Sequence, residues 1–578
     1  MPSPQPGLPP MNPRRPSDLW LYALIFSILW GLHASLLRLP YFWDEAGYYI
    51  QAARDLWLTG NPIPTSTLTN AHPPLVMAWL AFWWKFSAYT PAVTRTAMLL
   101  VAAFALLGVF RLARQISNDS VAIAATLLTA LYPPFFAQSS LAHLDMAAAA
   151  FTLWGLAAYL GRHRWRTLIW FALAGLAKET ALLAPGALVA WECLYPFWSS
   201  AAQRQSSALG SRPSAKRSNR WPLALGRRPE TNAVGIECAE TRRPCFLPKA
   251  EGRGPRAAFL ALSILPLAAW YVYHYARTGA IFGNPEYFRY NLAATVKPVR
   301  VFFALGQRCW QLFAGLNMFV LTGAAALAMR YAPLPEGGDA EDPTGAMRQP
   351  IALFVQWTFA VIILAYLMAL SVVGGAVLAR YLLPVYPLVI IVAVSTLRRR
   401  MVWWKAGVAM VAGAFVIGLF ASPLYRIAPE DNLTYADFVR LHTGVVRKLA
   451  AIPGVRVLTA WPASDELRKP YLGYTPHPVT VIPMENFTPE NLLLAHNSGQ
   501  AFDYALVFST KYEPPGKFHS DWWEKLQTKY FDYHRDASPW EAAAILGGKI
   551  VDYQQRDGEW VAIIARPGAP GANLFAGE

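Results

Sequence analysis

The sequence predicts a polytopic α-helical membrane protein with juxtamembrane helices on its external face and a small external α/β domain at its C-terminal end. Three observations lead there. Hydrophobic residues make up 55% of the 578-residue chain and charged ones only 15%, too apolar a balance for an ordinary soluble protein. Apolar stretches of roughly 17–25 residues, each able to cross about 30 Å of hydrocarbon as a helix, recur between Leu19 and Phe420. From about Pro429 that pattern gives way to short apolar runs separated by polar helical stretches.

Residues 1–17 read as a cytoplasmic tail. The first apolar stretch, 19–38, follows Arg14 and Arg15 and lacks a clear small-residue cleavage site, so it is expected to be a retained anchor. Further spans are expected at 92–112, 120–138, 143–161, 167–178, 180–198, 257–275, 307–330, 351–375, 381–397 and 402–420, about eleven in all. With the N-terminus in the cytoplasm, Arg111 and Arg114, the arginines at 162, 164 and 166, Arg330 and the run Arg398–Arg400 all fall inside, as the positive-inside rule asks. The stretch 167–178 is too short to cross alone and is expected to pack with 180–198 as a broken pair around Lys178. The membrane domain is thus 18–428 and the external α/β domain 429–578.

The external loop 39–91 holds two amphipathic stretches, Asp44–Leu58 and His72–Phe86, expected to lie in the interface with their aromatic rings at headgroup depth. Within the membrane domain, Ser199–Arg256 carries twelve Lys/Arg against four Asp/Glu and supplies eight of the sixteen net positive charges. Rich in Ser, Arg, Pro and Gly, it reads as a flexible cytoplasmic insert that helps orient the chain, not as a nucleic-acid site. Cys238 and Cys245 within it match no common zinc spacing, and with Cys193 and Cys309 they are expected to be unpaired thiols. In the tail, strands are expected at Val455–Ala460, Val479–Ile482, Tyr504–Phe508, Ile550–Tyr553 and Val561–Ala565, with helices at Thr434–Leu449 and Pro539–Leu546.

Under this topology the polar residues near the membrane collect on the external side: Asp44, Glu45, His72, His143, Asp145, Lys178, Glu179, Asn284, Glu286 and Arg380. Trp43-Asp44-Glu45-Ala46-Gly47-Tyr48-Tyr49 is the most pointed of these segments, because two adjacent carboxylates at a membrane boundary are costly to desolvate and turn toward water or a polar site. Such a pair suits a general base that takes a proton from an attacking hydroxyl; the alternative is that Asp44 caps a surface helix. His143 and Asp145, two positions apart, would point about 200° apart on a helix. Asp145 is therefore the inward candidate and His143 the interfacial one, the alternative for both being a solvated helix start. Lys178 and Glu179 lie in an otherwise apolar run and need partners: Lys178 binds an anionic headgroup, or pairs with Glu179 or another acid. Arg380, beside Tyr381, presents a planar fork suited to phosphate oxygens, or is an interfacial anchor. His72-Pro73-Pro74 sets a turn into the second amphipathic stretch, with His72 a weaker site candidate. Carboxylates with His72 or His143 are compatible with a divalent metal ion, but no firm ligand spacing is present and no cofactor is firmly implied.

Asp44-Glu45, His72-Pro73-Pro74, His143-Leu144-Asp145, Lys178-Glu179 and Arg380-Tyr381-Leu382-Leu383-Pro384, in this order and at these span ends, resemble the GT-C glycosyltransferases, in particular the protein O-mannosyltransferase and aminoarabinose transferase family. Gly283-Asn284-Pro285-Glu286-Tyr287-Phe288 is similar to an external-loop segment of bacterial members. The resemblance covers 18–420 and leaves the tail and the basic insert unmatched. It implies transfer of a sugar from a polyprenyl-phosphate donor to an acceptor hydroxyl on the external (periplasmic) face of the inner membrane, with inversion. Asp44 would be the base, Glu45 and Asp145 would position acceptor or base, and Lys178 and Arg380, with Tyr381, would meet the donor phosphate. The acceptor, whether lipid, glycan or protein, stays open. The rival classes are a lipid-linked-glycan flippase, against which stands the lack of paired inverted repeats, and an envelope-glycan assembly factor.

Overall fold

In the computed structural model, residues 17–194, 253–332, 350–512, 521–571 and 575 are described; residues 199–252 of the basic insert, with Cys238 and Cys245, lie outside them. Cys193 and Cys309 are free thiols.

Local chemistry starts the helices where the apolar stretches begin. Thr90 caps Pro91–Ile116, its hydroxyl accepting from the Val93 N–H at 3.3 Å with proline in the first turn, and Asn118 does the same for Asp119–Leu131 through Val121 at 3.0 Å. A helix occupies each expected span. Among the described residues, three helices are individually long and apolar enough to cross a membrane: Pro91–Ile116, Ala257–Thr278 and Leu353–Val372. Pro298–Phe313 and Met318–Tyr331 qualify together as one span bent by 78°. The bend has a local cause, because Leu316 and Asn317 are both in the left-handed region and their polar groups are taken elsewhere. The Leu316 N–H donates to the Tyr425 hydroxyl and the Asn317 amide to the Ala414 carbonyl, both at 2.7 Å.

The chain breaks at Lys178. Helix Arg164–Ala177 ends there in extended backbone, a 3-10 turn spans Glu179–Leu182, and a helix resumes over 183–194. Segment 39–91 forms two helices, Ile50–Thr59 and Leu75–Phe86, and the first packs against the tail. It is preceded by a π-helical turn, Glu45–Tyr49, and roofed by the tail: the Lys469 ammonium donates to Gln51 at 2.9 Å, the Arg54 guanidinium lies 4.5 Å from the Tyr471 ring centre, and the Tyr474 hydroxyl donates to the Tyr41 carbonyl at 2.9 Å.

The tail folds around a five-stranded sheet of β1 (Arg456–Ala460), β2 (Thr480–Met484), β3 (Tyr504–Phe508), β4 (Lys549–Arg556) and β5 (Glu559–Ala565), in the order β2-β1-β3-β5-β4. The first three are parallel; β5 runs antiparallel to both β3 and β4. The β4–β5 hairpin turns at Asp557-Gly558, both with positive φ, the dipeptide that a twisted two-residue turn favours. Helix Thr434–Ala450 covers the sheet and is tied to it by Lys448–Asp552 (3.0 Å) and Arg556–Asp437 (2.9 Å).

Candidate active site

Between the tail and the membrane helices lies a cavity of about 530 Å³, walled by Asp44, His72, Lys178, Glu179, Arg380, Tyr381 and Glu430, with Trp461, Thr510 and Lys511 of the tail closing it. Segments hundreds of residues apart meet here: the ends of apolar helices, the loops between them and turns of the tail.

Arg380 is its centre. It sits in the 3-10 turn Ala379–Leu382 just ahead of helix Tyr386–Arg400 and is almost wholly buried. Its guanidinium donates to Asp44 Oδ2, reaches Glu430 Oε1 at 3.1 Å and stands 3.6 Å from Asp145 Oδ2. The Arg380 guanidinium lies 3.0 Å from His143 Nδ1 and 3.2 Å from its Nε2, and Nδ1 lies 2.7 Å from the Gln138 side-chain oxygen. Both His143 and Asp145 therefore face Arg380, against the expectation that they diverge. The reason is that His143 is not helical: it is the extended residue preceding helix Leu144–Leu160, so the 200° offset does not apply. Neither residue reaches the cavity wall; they support Arg380 from behind.

Lys178 pairs with Asp145 at 2.6 Å and not with its neighbour Glu179, and its ammonium lies 4.0 Å from the Tyr381 ring centre. The same ring has Arg308 at 5.4 Å and Arg380 at 5.6 Å, so Tyr381 shares its π-face among three cations. Glu179 instead turns to His72 at 3.1 Å, whose other nitrogen is 3.4 Å from the Tyr287 hydroxyl.

Asp44 and Glu45 separate completely. Asp44 is about one-third exposed and faces the cavity, with no helix-capping hydrogen bond from its side chain. The Glu45 carboxylate is fully buried behind it, paired with an equally buried Arg95 at 3.3 Å and accepting from the backbone of Phe42 at 2.9 Å and of Ala142 at 2.5 Å. Arg95 in turn donates to the carbonyls of Pro40 and Ser140. Glu45 is thus a clamp between the loop that carries Asp44 and the loop that precedes His143. Two residues just before cavity side chains, Trp43 before Asp44 and Ala71 before His72, hold positive φ values of 43° and 58°, strain of the kind that accumulates at functional sites.

Asn284 and Glu286 do not line the cavity. Asn284 caps the short turn Pro285–Phe288 and donates to Thr69 O and Asn70 Oδ1, docking that loop so that Tyr287 reaches His72; Glu286 is exposed. Gly283 makes this docking feasible, with φ of 77° and the Asn70 backbone only 2.8 Å from where a Cβ would sit.

Glu430 and Asp431 escaped the sequence reading, although they are an adjacent acid pair at a membrane boundary like Asp44-Glu45. Burial pushes the Glu430 carboxyl up to about 7 against the pull of Arg380, with Asp44 and Asp145 adding to the rise. Burial likewise pushes Asp431 up to about 8, reinforced by Glu430. Arg95 was also missed, and an arginine inside an apolar span was its available signal. Among the described residues no group of three or more His, Cys, Asp and Glu side chains converges to hold a metal ion; the Arg380 guanidinium occupies the point on which these carboxylates converge.

No protein-family model and no curated protein sequence matches this chain. Among solved structures, ArnT from Cupriavidus metallidurans in the apo state superposes with a TM-score of 0.50 at 13% identity, covering 94% of this chain and 97% of that one. The same protein bound to undecaprenyl phosphate gives a TM-score of 0.51 at 13% identity, with 95% and 98% covered. At that identity the likeness shows the fold alone: this chain has the fold of ArnT over nearly its whole length.

Proposed function

We propose that this chain is an integral-membrane, inverting glycosyltransferase that moves a sugar from a polyprenyl-phosphate donor to an acceptor hydroxyl on the external face. The observation that carries the reading is the convergence on one cavity of an accessible carboxylate, Asp44, with two cations, Lys178 and Arg380, from three distant segments. The ArnT fold, seen with undecaprenyl phosphate bound, supports a lipid-phosphate donor. The topology that serves this chemistry has about eleven spans, a cytoplasmic N-terminus, a membrane domain over 18–428 and an external domain over 429–578 in the inner membrane.

The acceptor oxygen attacks the anomeric carbon from the side opposite the phosphate, its proton passes to Asp44, and the bond from the anomeric carbon to the phosphate oxygen breaks. The electron pair leaves with the polyprenyl phosphate, whose charge Lys178 and Arg380 neutralise. The donor phosphate competes with Asp44 for Arg380, so donor binding frees Asp44 to act as base. Asp145 holds both cations in place, and Glu45 acts at one remove by fixing the loop that carries Asp44.

The test is turnover of a panel of polyprenyl-phosphate sugars by the purified full chain with an envelope extract, followed by mass spectrometry. Asp44→Asn is expected to lower transfer by about 10²–10⁴-fold. Full activity of that variant removes Asp44 as base; no turnover of any donor by folded wild type supports the flippase or assembly reading instead.

A further inference from the structure

A second cavity of about 510 Å³ adjoins the first and shares Tyr290, Ala376, Leu378, Ile427, Ala428 and Lys511 with it as a common wall. None of the sequence motifs points to it. It is built by the bend between the helices Pro298–Phe313 and Met318–Tyr331, by the chain entering the tail, and by the end of helix Asp521–Phe531.

Its chemistry is mixed in a particular way. Its wall is rich in aromatic side chains, among them Trp310, half exposed and set edge-on to Tyr425 with ring centres 5.6 Å apart, and Phe531 from the tail. Between them are neutral hydrogen-bonding groups, the side-chain amides of Gln307 and Gln311, and Asp431. Asp431 is more than nine-tenths buried; one of its oxygens accepts from the Ala428 N–H at 3.3 Å and the other, Oδ1, has no partner. A buried carboxyl oxygen without a partner is costly, so it is a group whose partner arrives with a ligand. Burial, reinforced by Glu430, pushes the Asp431 carboxyl up to about 8, which favours the neutral form that both donates and accepts.

The two cations of this cavity are already engaged, apart from the partnerless Arg426 Nε. Arg426 donates to Gln527 Oε1 at 3.2 Å and to the Tyr533 hydroxyl at 2.8 Å, and Lys511 donates to the His534 carbonyl at 2.7 Å; both lie over the Tyr533 ring. An anionic ligand would have to displace these contacts. A neutral polyhydroxylated ring would not: its axial C–H face stacks on Trp310 or Phe531, and its hydroxyls pair with the Gln307 amide and Asp431, the Gln311 amide being already bonded to Arg308 and to the Val377 carbonyl. The volume lies within the range of about 300–1,000 Å³ typical of small-molecule sites.

We propose that this second cavity is the acceptor subsite and that the acceptor is a neutral sugar residue of a glycan, seated on Trp310 and Phe531 with a hydroxyl hydrogen-bonded to Asp431 and another directed through the shared wall toward Asp44. This rests on the transferase reading above. Its distinct content is that the acceptor hydroxyl belongs to a carbohydrate and not to a serine or threonine of a protein.

The experiment uses the full chain in nanodiscs and two separate readouts. Binding of undecaprenyl phosphate reports the first cavity; transfer from an accepted donor to methyl glycosides of common hexoses, or to a Ser/Thr peptide, reports the second. We expect a methyl glycoside to accept the sugar, and Trp310→Leu and Phe531→Leu each to raise its KM at least tenfold while undecaprenyl phosphate binding stays at the wild-type level. Transfer to the peptide but to no glycoside, donor turnover with neither accepted, or an unchanged glycoside KM in both variants that bind undecaprenyl phosphate overturns the proposal and leaves the transferase reading standing. Failure of wild type to bind undecaprenyl phosphate or turn over any donor fails both.

Discussion

Replacing Glu45 by glutamine tests whether this carboxylate is a clamp or part of the chemistry. Four N–H groups converge on its two oxygens, from the backbone of Phe42 and Ala142 and from both terminal nitrogens of Arg95, and neither Glu45 nor Arg95 has any exposed side-chain surface. Removing one partner of such a pair costs about 3–5 kcal/mol, because the other charge is left buried alone. Glutamine would also turn an NH₂ toward a backbone donor, leaving it unsatisfied at a further cost of about 1–3 kcal/mol. Arg95→Met should cost a similar amount by stranding the Glu45 charge. In the double variant Glu45→Gln/Arg95→Met no net charge is buried, so it should be more stable than the sum of the singles by about 2–3 kcal/mol, near the upper end for residues in contact. The assay is unfolding in detergent followed by tryptophan fluorescence, with sugar transfer measured well below every transition. If Glu45 acts only by holding the Asp44 loop, transfer returns with stability in the double variant. A double variant no more stable than additivity predicts would refute the clamp, and one that regains stability while staying inactive would give Glu45 a role on the substrate.

Three further outcomes follow from the geometry. Lys178→Met removes the ammonium between Asp145 and the Tyr381 ring, and undecaprenyl phosphate should bind on the order of tenfold more weakly or worse, charge-assisted contacts being the strong ones; unchanged binding in titrations counts against Lys178 as a phosphate partner. Gly283→Ala forces a Cβ to within 2.8 Å of the Asn70 backbone at a φ of 77°. The loop that carries Tyr287 should detach, seen as faster limited proteolysis within 279–297, and wild-type protection would show that Gly283 is not needed for docking. The folded state holds protons on Asp431 up to about pH 8 and on Glu430 up to about 7, whereas the unfolded chain releases them near pH 4. The native state therefore binds more protons over that interval, and stability should fall as pH rises from about 4 to 8. Asp431→Asn should flatten this fall; melting profiles from pH 5 to 9 that stay parallel to wild type would refute the assignment.

Much of this molecule was legible in one dimension, because a membrane and a sheet each impose a local rule. Apolar length marks the helices and short apolar runs mark the strands. Isolated polar residues at span ends are costly wherever they lie, so Asp44, His72, Lys178 and Arg380 stood out before any partner was visible, and the cavity brings these four together. Their partners did not stand out. That Lys178 meets Asp145 and not Glu179, that Glu45 turns to Arg95, and that Glu430 reaches Arg380 depend on which span ends abut in three dimensions. His143 was misjudged because its orientation follows from one extended residue ahead of a helix, which periodicity does not register. The sequence by itself determined that these charges would have to be neutralised, since burial cost belongs to each residue alone. Only the tertiary structure decided how, since a salt bridge such as Asp44 to Arg380 joins residues 336 positions apart and its formation is set by packing between them.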